Sequence, residues 1–234
     1  MLSEIRIGKF TSSSIHNLMK KGRGSLPSAA TETYIQEKLM ERRLGRRLET
    51  ELTSRPTSWG HLCEQYVHSK LDIFEYEYCS DVTISHLTLP WVGTPDFVCS
   101  DRVVDAKCPF TLKAFCELAD ICIANDLEAL KANKPEYYWQ LVSNAILTGK
   151  DKAELIVFCP YQTELEAIRD FADNVDVDQS GYLWIYLAPD VELPYLIEGN
   201  YYQNMYKFVF DVPVEDKQLL ADAVVVSSPR LEVM

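Results

Sequence analysis

Two acids and a base lie at the ends of two strand-like runs in TPDFVCSDRVVDAKCPF, residues 94–110. Asp105 and Lys107 are separated by one residue, so on a strand both side chains point to the same face. A hairpin with its turn near residues 100–101 would bring Asp96 beside Asp105. Two carboxylates that close repel each other, and the pKa of one of them rises unless a cation lies between them.

Mg²⁺ is the cation that this arrangement favours, because it takes oxygen ligands and keeps several waters. The backbone carbonyl of Ala106 would add a third oxygen to those of the two acids. Lys107 beside a metal-bound water would orient it, help to deprotonate it or stabilise charge on a phosphate. The pattern therefore predicts metal-assisted cleavage of a phosphodiester. The alternative is a surface ion pair between Asp105 and Lys107 on an edge strand, since a D-x-K triplet alone is common.

Two further polar residues are expected on helices before and after these strands. Glu64 follows Gly60 by four residues. The glycine is expected to allow a close approach of the backbone, and the glutamate to hold a metal-bound water or a second metal. Gln140 can accept from water and donate to phosphate. Each has a structural alternative, a solvent-facing glutamate for Glu64 and an ordinary amphipathic helix around Gln140.

Helices are predicted before, between and after the strands that carry these residues. This order indicates an α/β fold, with a sheet covered by helices. Hydrophobic spacing and end signals predict helices at about 12–20, 28–44, 58–70, 111–125, 135–148, 164–172 and 214–224. Strands are predicted at about 72–78, 82–89, 91–99, 102–107, 153–159, 182–187 and 205–210. Gly45 and Gly149 are expected to end their helices, and Pro135 to begin one.

Composition favours one cytoplasmic domain. The chain has 234 residues, 47% of them hydrophobic and 25% charged, which is typical of a globular protein. No apolar run is long enough for a membrane span, and the N-terminus lacks an apolar signal core. The seven cysteines contain no CxxC pair, so a disulfide framework, a zinc site or an iron–sulfur site is not expected.

Charge is distributed unevenly along the chain. Residues 1–55 carry 11 Lys or Arg and 6 Asp or Glu, a net +5, whereas residues 56–234 carry 12 and 29, a net −17. The basic residues concentrate in KKGR, residues 20–23, and ERRLGRR, residues 41–47. A solvated helical face would explain the second run equally well. A nucleic-acid partner needs only a local basic patch, because affinity comes from the phosphates that are neutralised.

The order Gly60…Glu64, Pro95-Asp96, Asp105-Ala106-Lys107 and Gln140 resembles the PD-(D/E)XK nucleases. The chain is most similar to the phage lambda exonuclease and YqaJ-like viral recombinase family. The segments IRIGKFTSSSIHNLMKK, WGHLCE and DAKCPF add to this likeness, which covers about residues 5–150. Asp105 stands where the family usually has Glu, and Val142 where a second Gln is common.

The resemblance implies a restriction-endonuclease-like core, with a central mixed β-sheet flanked by helices. It implies an exonuclease that uses Mg²⁺, with Mn²⁺ as a substitute, and degrades duplex DNA from the 5′ end. The product would be 3′ single-stranded tails for phage-type recombination. The implied metal ligands are Asp96, Asp105 and the Ala106 carbonyl, with Glu64 as a further candidate. Lys107 and Gln140 complete the implied catalytic set.

The resemblance also implies a pocket for a 5′-phosphate formed by Arg6, Ser13 and Thr94. Arg42 and Arg43 in the basic run are further candidates for DNA contact. The implied partners are duplex DNA with 5′-phosphate ends, a single-strand annealing protein and further copies of the chain in a homotrimer. The location would be a bacterial host cytoplasm for a phage-encoded protein, with no membrane partner.

Within one nuclease domain, we expect a basic, helical, DNA-facing part at 1–55, a catalytic core at 56–160, and C-terminal strands and helices at 161–234. Two other functions are consistent with the same residues. One is an endonuclease or nickase with the same chemistry. The other is a non-catalytic DNA-binding or assembly module on the same fold.

Overall fold

The computed structural model describes residues 2–23, 27–48, 54–79, 81–174 and 181–232. The strands are β1 Phe10–Thr11, β2 Glu77–Tyr78, β3 Ile84–Ser85, β4 Trp91–Gly93, β5 Phe97–Val98, β6 Arg102–Lys107, β7 Lys152–Phe158 and β8 Met205–Asp211. The α-helices are α1 Leu2–Ile5, α2 Ala29–Leu44, α3 Arg55–Lys70, α4 Leu112–Ala124, α5 Leu127–Asn133, α6 Pro135–Thr148, α7 Leu165–Asn174, α8 Leu183–Leu187 and α9 Val214–Ser227. Short 3-10 helices cover Ser12–Met19, Gln162–Glu164, Asp190–Glu192 and Ser228–Leu231.

A mixed sheet forms the centre of the molecule, in the order β2-β5-β6-β7-β8 across the described residues. The strands β5 and β6 pair antiparallel with Phe97 opposite Val104, so the predicted hairpin is present. The strands β6 and β7 run parallel over their whole length, and β8 pairs antiparallel with β7. A smaller sheet has the order β1-β4-β3. The expected central mixed sheet flanked by helices is therefore confirmed.

Both faces of β6 and β7 are largely buried, which explains why these strands carry consecutive apolar residues such as Val103-Val104 and Leu155–Phe158. Val103 packs in a core with residues of the 3-10 helix Ser12–Met19, α4, α6 and α9, whereas Val104 packs in a second core with α3, α7 and α8. Because side chains alternate along a strand, Asp105 and Lys107 share the α6 face with Val103. The polar residues of the predicted site thus extend from an apolar strand held on both sides.

Helix boundaries follow the expected signals at four positions. The hydroxyl of Ser28 accepts a hydrogen bond from the Thr31 N–H at 3.1 Å and caps α2, as serine does at helix N-termini. Gly45 and Gly149 end α2 and α6 in the left-handed conformation, with φ of 66° and 68°. Pro135 occupies the first turn of α6.

Four predictions about elements were wrong. Residues 182–187, predicted as a strand, contain α8. The buried residues Ile185 within it and Tyr182 and Ala188 on either side follow a three-residue spacing. The predicted strand at 72–78 shortens to β2, because Asp72 begins a turn in which its carboxylate accepts from the Phe74 N–H. The strand at 82–89 shortens to β3, and the run at 91–99 divides into β4 and β5 on different sheets. The short helix α5 was not predicted.

Glycine is required at position 93 and not at position 60. A Cβ added to Gly93 would lie 2.3 Å from the Ser12 hydroxyl and 2.4 Å from Oδ1 of Asn144. A Cβ added to Gly60 would meet nothing within 4 Å. The expected close approach of the chain's own backbone at Gly60 is therefore wrong. None of the described helices has the length and apolarity that crossing a bilayer demands.

We expect Gly93→Ala to lower the free energy of unfolding by about 1–3 kcal/mol, because the methyl group overpacks a buried polar cluster. Gly60→Ala is the control and should raise it by about 0.5–1 kcal/mol, because alanine costs less backbone entropy inside a helix. Urea unfolding of both variants checks this. Equal stability of the two would show that the space at Gly93 is not needed.

Candidate active site

The β5–β6 hairpin brings the first acid to the end of β6. The carboxylate of Asp96 accepts a hydrogen bond from the Ala106 N–H at 2.7 Å, and its backbone carbonyl accepts from the Cys79 N–H at 2.9 Å. In an extended strand the N–H and C=O of one residue point to the same side. The Ala106 carbonyl therefore lies on the strand edge that faces Asp96.

The second acid, Asp105, is only 1% exposed and lies under α6. The side-chain amide of Gln140 donates to its Oδ1 at 3.2 Å. The amide of Asn144 donates to Oδ1 at 3.4 Å and to Oδ2 at 3.2 Å. Residues four apart on a helix lie on the same face, so one turn of α6 supplies both amides. The structure thus brings Gln140 to the predicted acid.

Lys107 and Glu64 complete this charged group. The Lys107 ammonium lies 5.4 Å from the centre of the Tyr137 ring, on the first turns of α6. Glu64, on α3, forms a side-chain hydrogen bond with Asp96. The hairpin, α3 and α6 therefore bring all five predicted catalytic residues, Glu64, Asp96, Asp105, Lys107 and Gln140, into one connected group.

The carboxyl groups of this site ionise with difficulty. Burial raises the pKa of Asp105 to about 7, the charge of Asp96 adds to the rise, and Lys107 and the Asn144 amide oppose it. Burial also raises the pKa of Asp96 well above its ordinary value, together with the charge and hydrogen bond of Glu64. These shifts are those of carboxylates that lack sufficient positive charge nearby.

At Lys107, the neighbouring charges outweigh burial in their effect on the pKa. Burial alone would lower the pKa of its ammonium, but the carboxylates of Asp105, Asp96 and Glu64 together raise it. The side chain is therefore held in its charged form. A lysine in this state suits the stabilisation of negative charge better than the acceptance of a proton.

The donor set suits a hard divalent cation. Its groups are carboxylates and a backbone carbonyl, and Mg²⁺ is usually bound through one or two carboxylates with waters in the other positions. Across the described ranges, no three His, Cys, Asp or Glu side chains form a ready-made metal cage. A cation here would thus depend on few protein ligands. Asp96, Asp105 and the Ala106 carbonyl remain the predicted ones.

The predicted phosphate pocket is partly assembled. The Arg6 guanidinium donates to the Thr94 hydroxyl at 2.6 Å, and Thr94 precedes Pro95-Asp96. Ser13 is exposed, with its hydroxyl 3.4 Å from that of Thr11. Because β1 and β4 are parallel with Thr11 beside Val92, Ser13 and Thr94 leave the small sheet at the same end. Arg6 and Thr94 form a pair, and Ser13 follows the neighbouring strand.

The two arginines of the basic run differ. Arg42 donates to the carbonyl of Gly8 at 2.8 Å and to that of Leu231 at 2.9 Å, which ties α2 to both ends of the described chain. Arg43 is exposed. The predicted DNA contacts of both stay predictions, and Arg42 has a structural role that the sequence did not indicate.

Asn144 is the site residue that the sequence reasoning missed. It lies in SNA, residues 143–145, on α6, and its side chain is 0% exposed. The available signal was its spacing, since it follows Gln140 by four residues. Val142, two residues after Gln140, is fully buried in the core.

No protein-family model and no curated protein matches this sequence. Solved structures do. An alkaline exonuclease, LHK-Exo from Laribacter hongkongensis, has a TM-score of 0.62 at 16% identity, over 98% of this chain and 91% of that one. Its complex with dAMP gives 0.60 at 17% identity, over 98% and 90%. A phage-related exonuclease from Haemophilus somnus 129PT gives 0.60 at 13% identity, over 95% and 93%.

These likenesses establish the fold. The chain has the fold of these exonucleases. The similarity of structure covers nearly the whole chain, whereas the sequence motifs covered about residues 5–150. The C-terminal third, which carries no motif, is therefore part of the same fold.

We expect Asp105→Asn to stabilise the protein more at high pH than at low pH. The raised pKa means that folded Asp105 binds a proton that the unfolded chain has released, so its contribution to stability is lost as the pH rises from about 4 to about 7. One pKa unit corresponds to about 1.4 kcal/mol. The advantage of the variant should be on the order of 2 kcal/mol larger at about pH 8 than at about pH 5.5.

Urea unfolding at the two pH values, with a chelator present, measures this difference. Glu198→Gln, a change at an exposed acid, is the control and should leave the stability nearly unchanged at both. If the gain in stability from Asp105→Asn does not depend on pH, the pKa of Asp105 is not raised in the folded protein.

Proposed function

We propose that this chain is a Mg²⁺-dependent exonuclease that degrades duplex DNA from the 5′ end. The observation that carries this proposal is the hairpin-bound group of Asp96, Asp105 and Lys107, two buried acids and a held cation at one strand end. Its fold, shared with solved exonucleases, supports the same class of reaction. The charged group is the part that chemistry requires, because a fold alone does not determine function.

Asp96, Asp105 and the Ala106 carbonyl would hold Mg²⁺ in this proposal. When bound, the ion supplies Lewis-acid activation of the scissile phosphate and of a water. Lys107 stabilises the negative charge that develops on the phosphate, because neighbouring carboxylates keep it protonated. The Gln140 amide orients the Asp105 carboxylate, to which it donates. Glu64 contacts Asp96 and so belongs to the same group.

The proposed 5′ polarity is based on Arg6 and Thr94. An arginine fork and a hydroxyl are well suited to a terminal phosphate, and this pair is bonded at 2.6 Å directly before Pro95-Asp96. A phosphate held there would lie one short segment away from the proposed cleavage site. Exposed basic residues of the N-terminal part, including Arg43, Arg46 and Arg23, would contact the duplex backbone.

The proposed biological role follows from the DNA product of the reaction. A 3′ single-stranded tail is the substrate of an annealing protein, so phage-type recombination in a bacterial cytoplasm is the proposed role. A homotrimer, by analogy with the lambda enzyme, is the proposed assembly. Mn²⁺ is the proposed substitute for Mg²⁺.

The deciding assay is loss of linear duplex DNA. The chain should degrade 5′-phosphorylated linear duplex with Mg²⁺ and not with EDTA, and Asp105→Asn should lower the rate by at least about 10²-fold, because it removes a proposed metal ligand. Asp101→Asn changes an exposed acid on the same hairpin and should stay near wild type. Duplex loss that persists in EDTA, or in Asp105→Asn, would end the proposal.

The polarity has its own test. Arg6→Ala should slow digestion of 5′-phosphate ends by about 10–100-fold, the value of a charged hydrogen bond, and should change digestion of 5′-hydroxyl ends little. The rate of Arg6→Lys on 5′-phosphate ends should fall between the rates of wild type and Arg6→Ala, since lysine keeps the charge without the forked guanidinium. Arg43→Ala is the matched control and should weaken both substrates equally.

Closed circular duplex distinguishes the alternative. An exonuclease leaves it intact. If circles are cut as readily as linear duplex, or if Arg6→Ala affects both kinds of end equally, the chain acts as an endonuclease or nickase and the 5′ assignment is wrong.

A further inference from the structure

Asn144 contacts the proposed metal ligand Asp105 more completely than Gln140 does. Its side-chain amide lies 3.2 Å from Oδ2 and 3.4 Å from Oδ1 of Asp105, whereas Gln140 reaches only Oδ1. A carboxylate held at one oxygen can still rotate about its last bond. A donor shared by both oxygens defines the plane of the carboxylate as well as its position.

The placement of Asn144 is costly for folding. Its side chain is 0% exposed, and its Oδ1 has no hydrogen-bond partner among the described residues. The amide fits only because residue 93 is glycine, whose added Cβ would lie 2.4 Å from that same Oδ1. Buried polar atoms without a partner lower stability. The residue is therefore poorly explained by packing alone.

We propose that Asn144 is a positioning residue that directs the Asp105 carboxylate toward the bound cation. This inference rests on the proposed function. Asp105 is shorter by one methylene than a glutamate, so its oxygens have less reach along the strand face. The Asn144 amide occupies the space beyond the short side chain and fixes both oxygens, as groups outside the ligand set commonly do for carboxylate ligands.

Ser143 offers a matched control on the same turn of α6. It is also 0% exposed, and its hydroxyl bonds Ser12 at 2.7 Å and the Trp91 indole N–H at 2.8 Å. No described hydrogen bond joins it to Asp105. Truncation of either residue removes buried hydrogen bonds from one helix, but only Asn144 reaches the acid.

The first experiment measures Mg²⁺ binding by calorimetry without DNA, together with the melting temperature. Asn144→Ala and Ser143→Ala should both lower the melting temperature by a few degrees. Asn144→Ala should weaken Mg²⁺ binding by about 10–100-fold, the usual loss for a group that supports a metal ligand. Ser143→Ala should stay within about twofold of wild type, because its partners lie away from Asp105.

The second experiment asks whether a longer acid restores binding. Asp105→Glu alone pushes an extra methylene against Asn144 and should weaken Mg²⁺ binding. In combination with Asn144→Ala, the longer side chain enters the vacated space. The double variant should bind at least about fivefold more tightly than the two single effects predict, which is the signature of residues in direct contact.

The outcomes separate this inference from the proposed function. If the wild type neither binds Mg²⁺ nor degrades duplex DNA, both fail. If the wild type does both while Asn144→Ala binds Mg²⁺ as well as Ser143→Ala, or the double variant is simply additive, the positioning role is wrong and the function stands. Should Asn144→Ala be too unstable to purify, Asn144→Ser, which is too short to reach Asp105, is judged by the same Mg²⁺ affinity.

Discussion

The burial of more negative than positive charge at one strand end governs the candidate site. Glu64, Asp96 and Asp105 surround the single ammonium of Lys107, and burial raises the pKa of both aspartates. The hydrogen bond from the Ala106 N–H to Asp96 keeps the first acid in place against this repulsion. Neutral amides from α6 supply donors without adding charge. A divalent cation is the simplest compensation for such a group.

A second buried acid in the same sheet shows what a structural carboxylate looks like. Glu154 on β7 is 0% exposed and lies beside Val104 of β6. The Arg102 guanidinium donates to it at 2.5 Å and the Tyr76 hydroxyl at 3.1 Å. Its charge is therefore paired with that of Arg102. This arginine begins β6, and Asp105 and Lys107 lie at the other end of the same strand. The two ends of β6 differ in charge compensation, because Glu154 has an arginine of its own whereas the acids at the other end share the Lys107 ammonium.

Local signals in the sequence were sufficient to predict the hairpin and to predict that Asp96, Asp105 and Lys107 lie together. The two-residue period of a strand puts Asp105 and Lys107 on one face, and the short turn before them brings Asp96 alongside. Local signals could not predict contacts between segments that are distant in the sequence. Residues 182–187 were wrongly predicted as a strand because a six-residue apolar run is ambiguous between helix and strand. Arg42 was read as a surface cation, although carbonyls from Gly8 and Leu231 engage it. Asn144 was not among the predicted site residues, because only tertiary packing reveals that its amide meets Asp105.

Costs to stability accumulate at this one place, and that pattern bears on function. The aspartates are buried with incomplete charge compensation, Asn144 keeps an unbonded acceptor in the described structure, and Gly93 is held without a side chain to make room for it. A module that only bound DNA or a protein partner would gain stability from replacing Asp105 with a neutral residue. Strained or unsatisfied groups concentrate where chemistry needs them. Their joint presence around Lys107 therefore favours a working catalyst over a non-catalytic member of the same fold.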